Sequence, residues 1–165
     1  MEHRKTIIIV AILLVSCNFN NKNNMSKQND FYSYSKFGHN DRIPLIEPYA
    51  LISDREGKWI FQSEDMGDKN SINEWPVISI GIMDSTNIVV NAWRMGSNTY
   101  KIWLIVNVSD DNAIEFKKEE DYLTYLRTLH GDSVKLFSDF EAIYKEFDKE
   151  NGTLPPEWVK YQNRD

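Results

Sequence analysis

The chain has 165 residues and a net charge of −6, with 25 acidic against 19 basic side chains and a single cysteine. An acidic balance argues against a nucleic-acid partner and against electrostatic adhesion to anionic lipid. One cysteine cannot close an internal disulfide, so the fold must be held by its apolar core alone.

The first segment reads as an address rather than as structure. Met1-Glu2-His3-Arg4-Lys5 is a polar start ending in two positive charges, and Thr6–Val15 is almost uniformly aliphatic. A membrane-spanning helix needs about 20 apolar residues, and this run is about half that, the length of a signal-peptide hydrophobic region. It closes on Leu14-Val15-Ser16-Cys17, which resembles the lipobox of bacterial lipoproteins: Leu, any residue, a small residue, then Cys. The resemblance implies that residues 1–16 are a cleaved signal peptide, that the Cys17 thiol receives a diacylglycerol, and that the new amino group is acylated. A palmitate-type anchor of two or three chains, at about 0.8 kcal/mol per buried methylene, makes attachment effectively permanent. A lipidated Cys17 also leaves no thiol for a disulfide-linked oligomer. Asn18, not Asp, follows Cys17, and no acidic cluster adjoins it; by the same resemblance this implies an outer membrane location facing the periplasm. The competing reading, Thr6–Val15 as a core strand with Cys17 buried, is disfavoured because the polar residues that follow could not cover such a strand. Loss of Glu2, Arg4 and Lys5 with the leader moves the charge one unit further negative.

Asn18–Asp30 is polar and Asn-rich, with Phe19 and Met25 as its apolar members. It cannot bury enough surface to order itself and reads, with Cys17, as a tether spanning residues 17–30. A single domain over residues 31–165 is expected to follow. Ile43–Pro48 is extended, since each proline restricts its predecessor to β or polyproline geometry. Tyr49–Ser53 and Lys58–Gln62 flank Asp54-Arg55-Glu56-Gly57 as a hairpin, and residues 64–74 read as loop.

Val77–Val108 carries the clearest pattern. Three strand-like runs are separated by Asp84-Ser85-Thr86 and Gly96-Ser97-Asn98. With each separator as a three-residue hairpin loop, Ile78, Ile80 and Ile82 fall beside Ala92, Val90 and Ile88, and these beside Ile102, Leu104 and Val106. A slip of one residue would put Ser79, Asn91 or Lys101 among them, so the apolar pattern fixes the parity of the register. Ala113–Lys117 adds a further strand after the turn at Ser109–Asn112.

Two helices complete the pattern. Tyr122, Tyr125, Leu126 and Leu129 recur at helical spacing from about Glu119 to His130, ahead of Gly131. Ser138-Asp139-Phe140-Glu141 reads as a capping box opening a helix whose stripe is Phe140, Ile143, Tyr144 and Phe147. Gly152 and Pro155-Pro156 stop it. The expected fold is therefore α+β, an antiparallel meander of about four to six strands with the two C-terminal helices packed on one face.

Signatures of catalysis are missing from the sequence. His39 and His130 have no His or Cys partner at metal spacing, and there is no Gly-rich phosphate loop, Gly-x-Ser-x-Gly or spare Cys nucleophile. Asp110–Asp111 and Glu119-Glu120-Asp121 lack the alternating ligand spacing of a calcium loop, and acidic residues at a helix start complement its dipole. No catalytic residue, metal ligand or cofactor is assigned beyond the covalent lipid on Cys17. Asp84-Ser85-Thr86 and Asp132-Ser133-Val134 resemble the short acceptor that some Gram-negative bacteria O-glycosylate, which marks Ser85 and Ser133.

The second face of the meander is more informative. The same register gathers Asn91, Trp93, Lys101, Trp103 and Ile105 on it, with Val89, Ser79 and Gly81. Trp93 falls opposite Lys101 and diagonal to Trp103, a mixture typical of recognition surfaces anchored by Trp. Alternatively, Ile43–Tyr49 or the 49–62 hairpin covers this face as a second core. The resulting expectation is a lipid-anchored, non-catalytic binding protein engaging another, basic protein, as complementary charge speeds encounter. In size, charge and address it is similar to immunity proteins that neutralise bacterial toxins and to lysozyme inhibitors. Alternatives are an accessory lipoprotein binding glycan through Trp93 and Trp103, and an enzyme with a dispersed active site.

Overall fold

A computed structural model describes residues 30–63, 75–129, 133–149 and 152–162. The leader, Cys17, the tether up to residue 29, the 64–74 loop, His130, Gly131 and Asp132 lie outside the described residues, and Asp30, expected as the tether's last residue, opens a short 3-10 turn, Asp30–Tyr32. Among the described residues no helix is long and apolar enough to cross a membrane.

Strong β-formers alternating with turn residues produce two four-stranded sheets, each strand antiparallel to its neighbour in sequence. The first sheet holds β1 (Lys36–Phe37), β2 (Asn40–Pro44), β3 (Tyr49–Ser53) and β4 (Trp59–Ser63). Its β3–β4 turn closes as the Asp54–Gly57 motif implies: Asp54 Oδ1 accepts the Glu56 and Lys58 amides at 2.8 Å, and Gly57 sits at φ 77°, a value that favours glycine. The second sheet holds β5 (Val77–Ile82), β6 (Asn87–Arg94), β7 (Tyr100–Asn107) and β8 (Asn112–Phe116). The two sheets touch edge to edge at one antiparallel bridge, Ile60 to Pro76.

The expected register holds across β6 and β7, where Ile88, Val90 and Ala92 face Val106, Leu104 and Ile102. Between β5 and β6 it holds for Ile80–Val90 and Ile82–Ile88, then breaks. Val77, not Ile78, stands opposite Ala92. Pro76 accepts the Trp93 amide at 2.9 Å, which fixes the start of β5 one step out of phase, and Ile78 is absorbed as the extra residue of a bulge. Val77 consequently packs against the core in its place.

The face carrying Ile80, Ile82, Ile88, Val90, Ile102, Leu104 and Val106 shares one core with Ile43, Tyr49, Leu51, Trp59 and Phe61 of the first sheet. Phe140 and Tyr144 of α2 (Phe140–Phe147) close it, with Trp59 5.8 Å from the Tyr144 ring. Trp158 of the short α3 (Pro156–Val159) is fully buried there, edge-on to Phe137. The sequence reading took Pro155-Pro156 only as a stop and passed over the helix that Pro156 begins, although Pro is well suited to a first helical position. The α2 N-cap is Asp139, whose Oδ1 accepts the Ala142 amide at 3.0 Å, rather than the expected Ser138.

The α+β class stands, but the helices divide between the faces instead of sharing one. α1 (Glu119–Thr128) follows β8 directly and packs Tyr122 and Leu126 on Val89 and Ile105, on the side away from the main core. Its buried stripe is narrower than expected, and Leu129 is exposed. The reason is compositional: Val89 and Ile105 make the second sheet apolar on both sides at this end, so the first amphipathic helix after it has a site there. The N-terminal hairpins do not cover this face, contrary to the alternative entertained above; they belong to the inner core.

Candidate binding surface

The outward face of the second sheet is best described in rows across its strands. The first row is Gly81, Val89, Ile105 and Ile114. α1 lies over its centre, leaving Ile105 3% exposed. Val134 and Lys135 cross at Gly81, where a Cβ would stand 2.7 Å from the Lys135 carbonyl oxygen and from Val134 Cγ1. Only a residue without a side chain permits that crossing.

The second row is Ser79, Asn91, Trp103 and Phe116. Asn91 is 8% exposed, and its Oδ1 is buried without a hydrogen-bond partner among the described residues. Trp103 is half-buried against the α1 cluster, and the Lys101 ammonium sits 4.9 Å from its ring centroid, a cation–π contact worth about 0.5–1 kcal/mol at an exposed site. In the third row Trp93 stands opposite Lys101 and is 43% exposed.

All five residues selected from the sequence thus lie on one face, but they are not equivalent. Ile105 is sealed beneath α1 and cannot touch a partner, while Asn91 sits in a crevice between Ser79 and Trp103. Trp93, Lys101 and the open edge of Trp103 remain accessible. Their backbone positions are set by paired strands, so a partner would meet them without reordering of the main chain.

The outward face does not end there. Ile52 pairs with Ile60, Ile60 bridges Pro76, Pro76 binds the Trp93 amide and Trp93 faces Lys101. One row therefore runs across both sheets. The sequence reading missed Ile52, Ile60 and Pro76 as members of it. Ile52 and Ile60 were legible as partners across the Asp54–Gly57 turn, but the bridge to Pro76 had no local signal.

The remaining candidates fall elsewhere. Ser85 is partly buried in a loop held by Asp84, whose Oδ1 accepts the Thr86 and Asn87 amides at 2.7 and 2.8 Å. Burial pushes the Asp84 carboxyl up, but the hydrogen bonds from Asn87 and Thr86 outweigh it and hold the group below its ordinary value. Ser133 is exposed. His39 is exposed in the turn joining β1 and β2. Glu119, Glu120 and Asp121 occupy the exposed first turn of α1, and Asp111 accepts a hydrogen bond from Tyr49. Among the described residues no group of three or more His, Cys, Asp or Glu side chains is arranged to hold a metal. No family model, curated protein or solved structure matches the chain.

Proposed function

We propose that the chain is a membrane-tethered, non-catalytic binding protein that engages another protein through Trp93, Lys101 and the edge of Trp103. The observation that carries this reading is the large, open indole of Trp93 on a rigid paired strand beside a cation. Large aromatic side chains with accessible area dominate binding energy at interfaces. The acidic charge of the chain suits a basic partner by steering encounter. The lipobox-like segment ending at Cys17 supplies the address, an outer-membrane anchor facing the periplasm, and makes an immunity- or inhibitor-like role the natural one.

The glycan alternative is weaker, because Lys101 already lies over the Trp103 ring where a sugar would stack. Site-specific photo-crosslinking in living cells tests the proposal. A photoreactive side chain at position 93 is expected to trap one discrete protein adduct, whereas the same group at exposed Leu123 on α1 traps none. Equal adducts from both positions, or glycan binding lost in Trp93→Ala, overturns it.

A further inference from the structure

Each four-stranded sheet has two outer edges, and three of the four are short or bridged. β1 is two residues long, β4 bridges Pro76 through Ile60, and β5 exchanges backbone hydrogen bonds with Phe137 at Ile80. The fourth edge is β8, five residues paired with β7 on one side. Among the described residues no backbone hydrogen bond reaches Asn112–Phe116 from the other side. Proteins commonly blunt such edges with a Lys, a Pro or a bulge, and β8 carries none of these. α1 covers Val89 and Ile105 but leaves Ile114, the central residue of β8, 38% exposed.

The charges at the two ends of β8 select the strand that fits it. Asp110 and Asp111 precede it, and Lys117 and Lys118 follow it. Asp110, Lys117 and Lys118 are exposed and form no ion pair among the described residues. Glu115, inside the strand, is already paired with Arg94 and brings no unmatched charge to the edge. A second β8 laid antiparallel about Ile114 sets Ile114 against Ile114, Asn112 against Phe116 and Ala113 against Glu115. The acidic end of each strand then meets the basic end of the other, twice over. A parallel copy would set like charges together, which is unfavourable. The antiparallel contact is self-complementary under a two-fold rotation, the commonest symmetry of homodimers.

We infer that β8 is a self-association edge, at which two copies of this chain pair antiparallel about Ile114 and join their second sheets into one. Trp93 lies on β6, two strands in from this edge, so the inference does not depend on what Trp93 binds.

The test is oxidative cross-linking and sedimentation of the full chain in detergent micelles. Directly opposite Cα atoms of an antiparallel pair stand about 4.5–5.5 Å apart, within disulfide reach. Ile114→Cys is therefore expected to give a reducible dimer, and Ser97→Cys, exposed in the β6–β7 turn, none beyond that of the unaltered chain. Asp110→Lys or Lys118→Asp alone is expected to weaken the dimer about tenfold, since either sets like charges together at both ends. Mixing the two variants, or combining both changes in one chain, is expected to restore it, because opposite charges then meet again. Such rescue is a readout that a folding defect cannot imitate. A chain that stays monomeric overturns the inference, as do Asn112–Phe116 amides protected from exchange within a monomer by another segment. A dimer that is indifferent to both charge reversals and lacks the Ile114→Cys cross-link overturns it as well.

Discussion

The phenol of Tyr49 on β3 donates a hydrogen bond to the carboxylate of Asp111 in the turn between β7 and β8. It ties the first sheet to the far end of the second. Asp111 is itself in the left-handed region, at φ 47°, a conformation that costs a non-glycine residue about 1 kcal/mol or more. Its position in a turn and its bond to Tyr49 offset that cost.

Removing the bond should be measurable without dismantling the core. Tyr49→Phe keeps the ring stacked 5.1 Å from Phe61 and leaves Asp111 to water. A loss of about 1.5–3 kcal/mol is expected by urea denaturation, the range for a hydrogen bond to a charged group. The same variant should alter behaviour at high pH. Burial, then the Asp111 hydrogen bond, pushes the Tyr49 phenol up from its ordinary value near 10. A raised folded-state pKa means the stabilisation is complete below about pH 10 and is lost as pH climbs above it. Tyr122 and Tyr144 are also raised, with burial as the leading cause, so Tyr49→Phe is expected to flatten the alkaline decline rather than abolish it. An unchanged decline would remove Tyr49 from the account.

Gly81 should tolerate no side chain. The obstacle is the Lys135 backbone carbonyl as well as Val134, and backbone cannot move aside as a flexible side chain can. Gly81→Ala is expected to cost about 1–3 kcal/mol, as overpacking does, seen as a lower denaturation midpoint. Val134→Ala in the same background should recover only part of it, because the carbonyl contact persists.

The Asp84 loop predicts acid sensitivity. Its carboxyl is held below the ordinary value near 3.8 by Asn87 and Thr86, against the opposing pull of burial. A depressed folded-state pKa contributes stability that is present above that ordinary value and lost as pH falls through the folded one. Asp84→Ala should lower stability by about 1–2 kcal/mol at neutral pH and shrink the loss on acidification below pH 4. Parallel acid curves for the two proteins would contradict this.

Trp93 and Ile105 should respond in opposite ways. Ile105→Ala removes a side chain sealed under Tyr122 and Leu126 and is expected to cost about 2–5 kcal/mol. Trp93→Ala, at an open position, should cost about 1 kcal/mol or less in stability, as surface substitutions do, yet weaken partner binding at least about tenfold. Thermal melts paired with crosslinking yield separate the two effects.

Cys17→Ala should abolish incorporation of radiolabelled fatty acid and release the chain from membranes. Label persisting in that variant would refute the lipobox assignment.

Periodicity within a strand or helix was enough to read much of the fold from the residues alone. Alternation fixed which of Ile88, Val90 and Ala92 face Val106, Leu104 and Ile102, since a slip of one residue would have turned Asn91 or Lys101 into the main core. The stripe of Phe140, Ile143, Tyr144 and Phe147 placed α2 within a few residues. Strand alternation also put Trp93, Lys101 and Trp103 on one face, because side-chain direction is a property of the strand itself.

Relations between elements were decided only by the folded molecule. Whether α1 or a distant hairpin covers Ile105 depends on which apolar surfaces fit one another, and Tyr122 with Leu126 could have packed on either side of the sheet. The bulge at Ile78 follows from Pro76 pairing with Trp93, and the row from Ile52 through Ile60 to Trp93 from a single bridge between two sheet edges. Local pattern encodes which way a side chain points along its own strand; the neighbour it meets is chosen by shape and burial across the whole core, and so exists only once the chain has closed on itself.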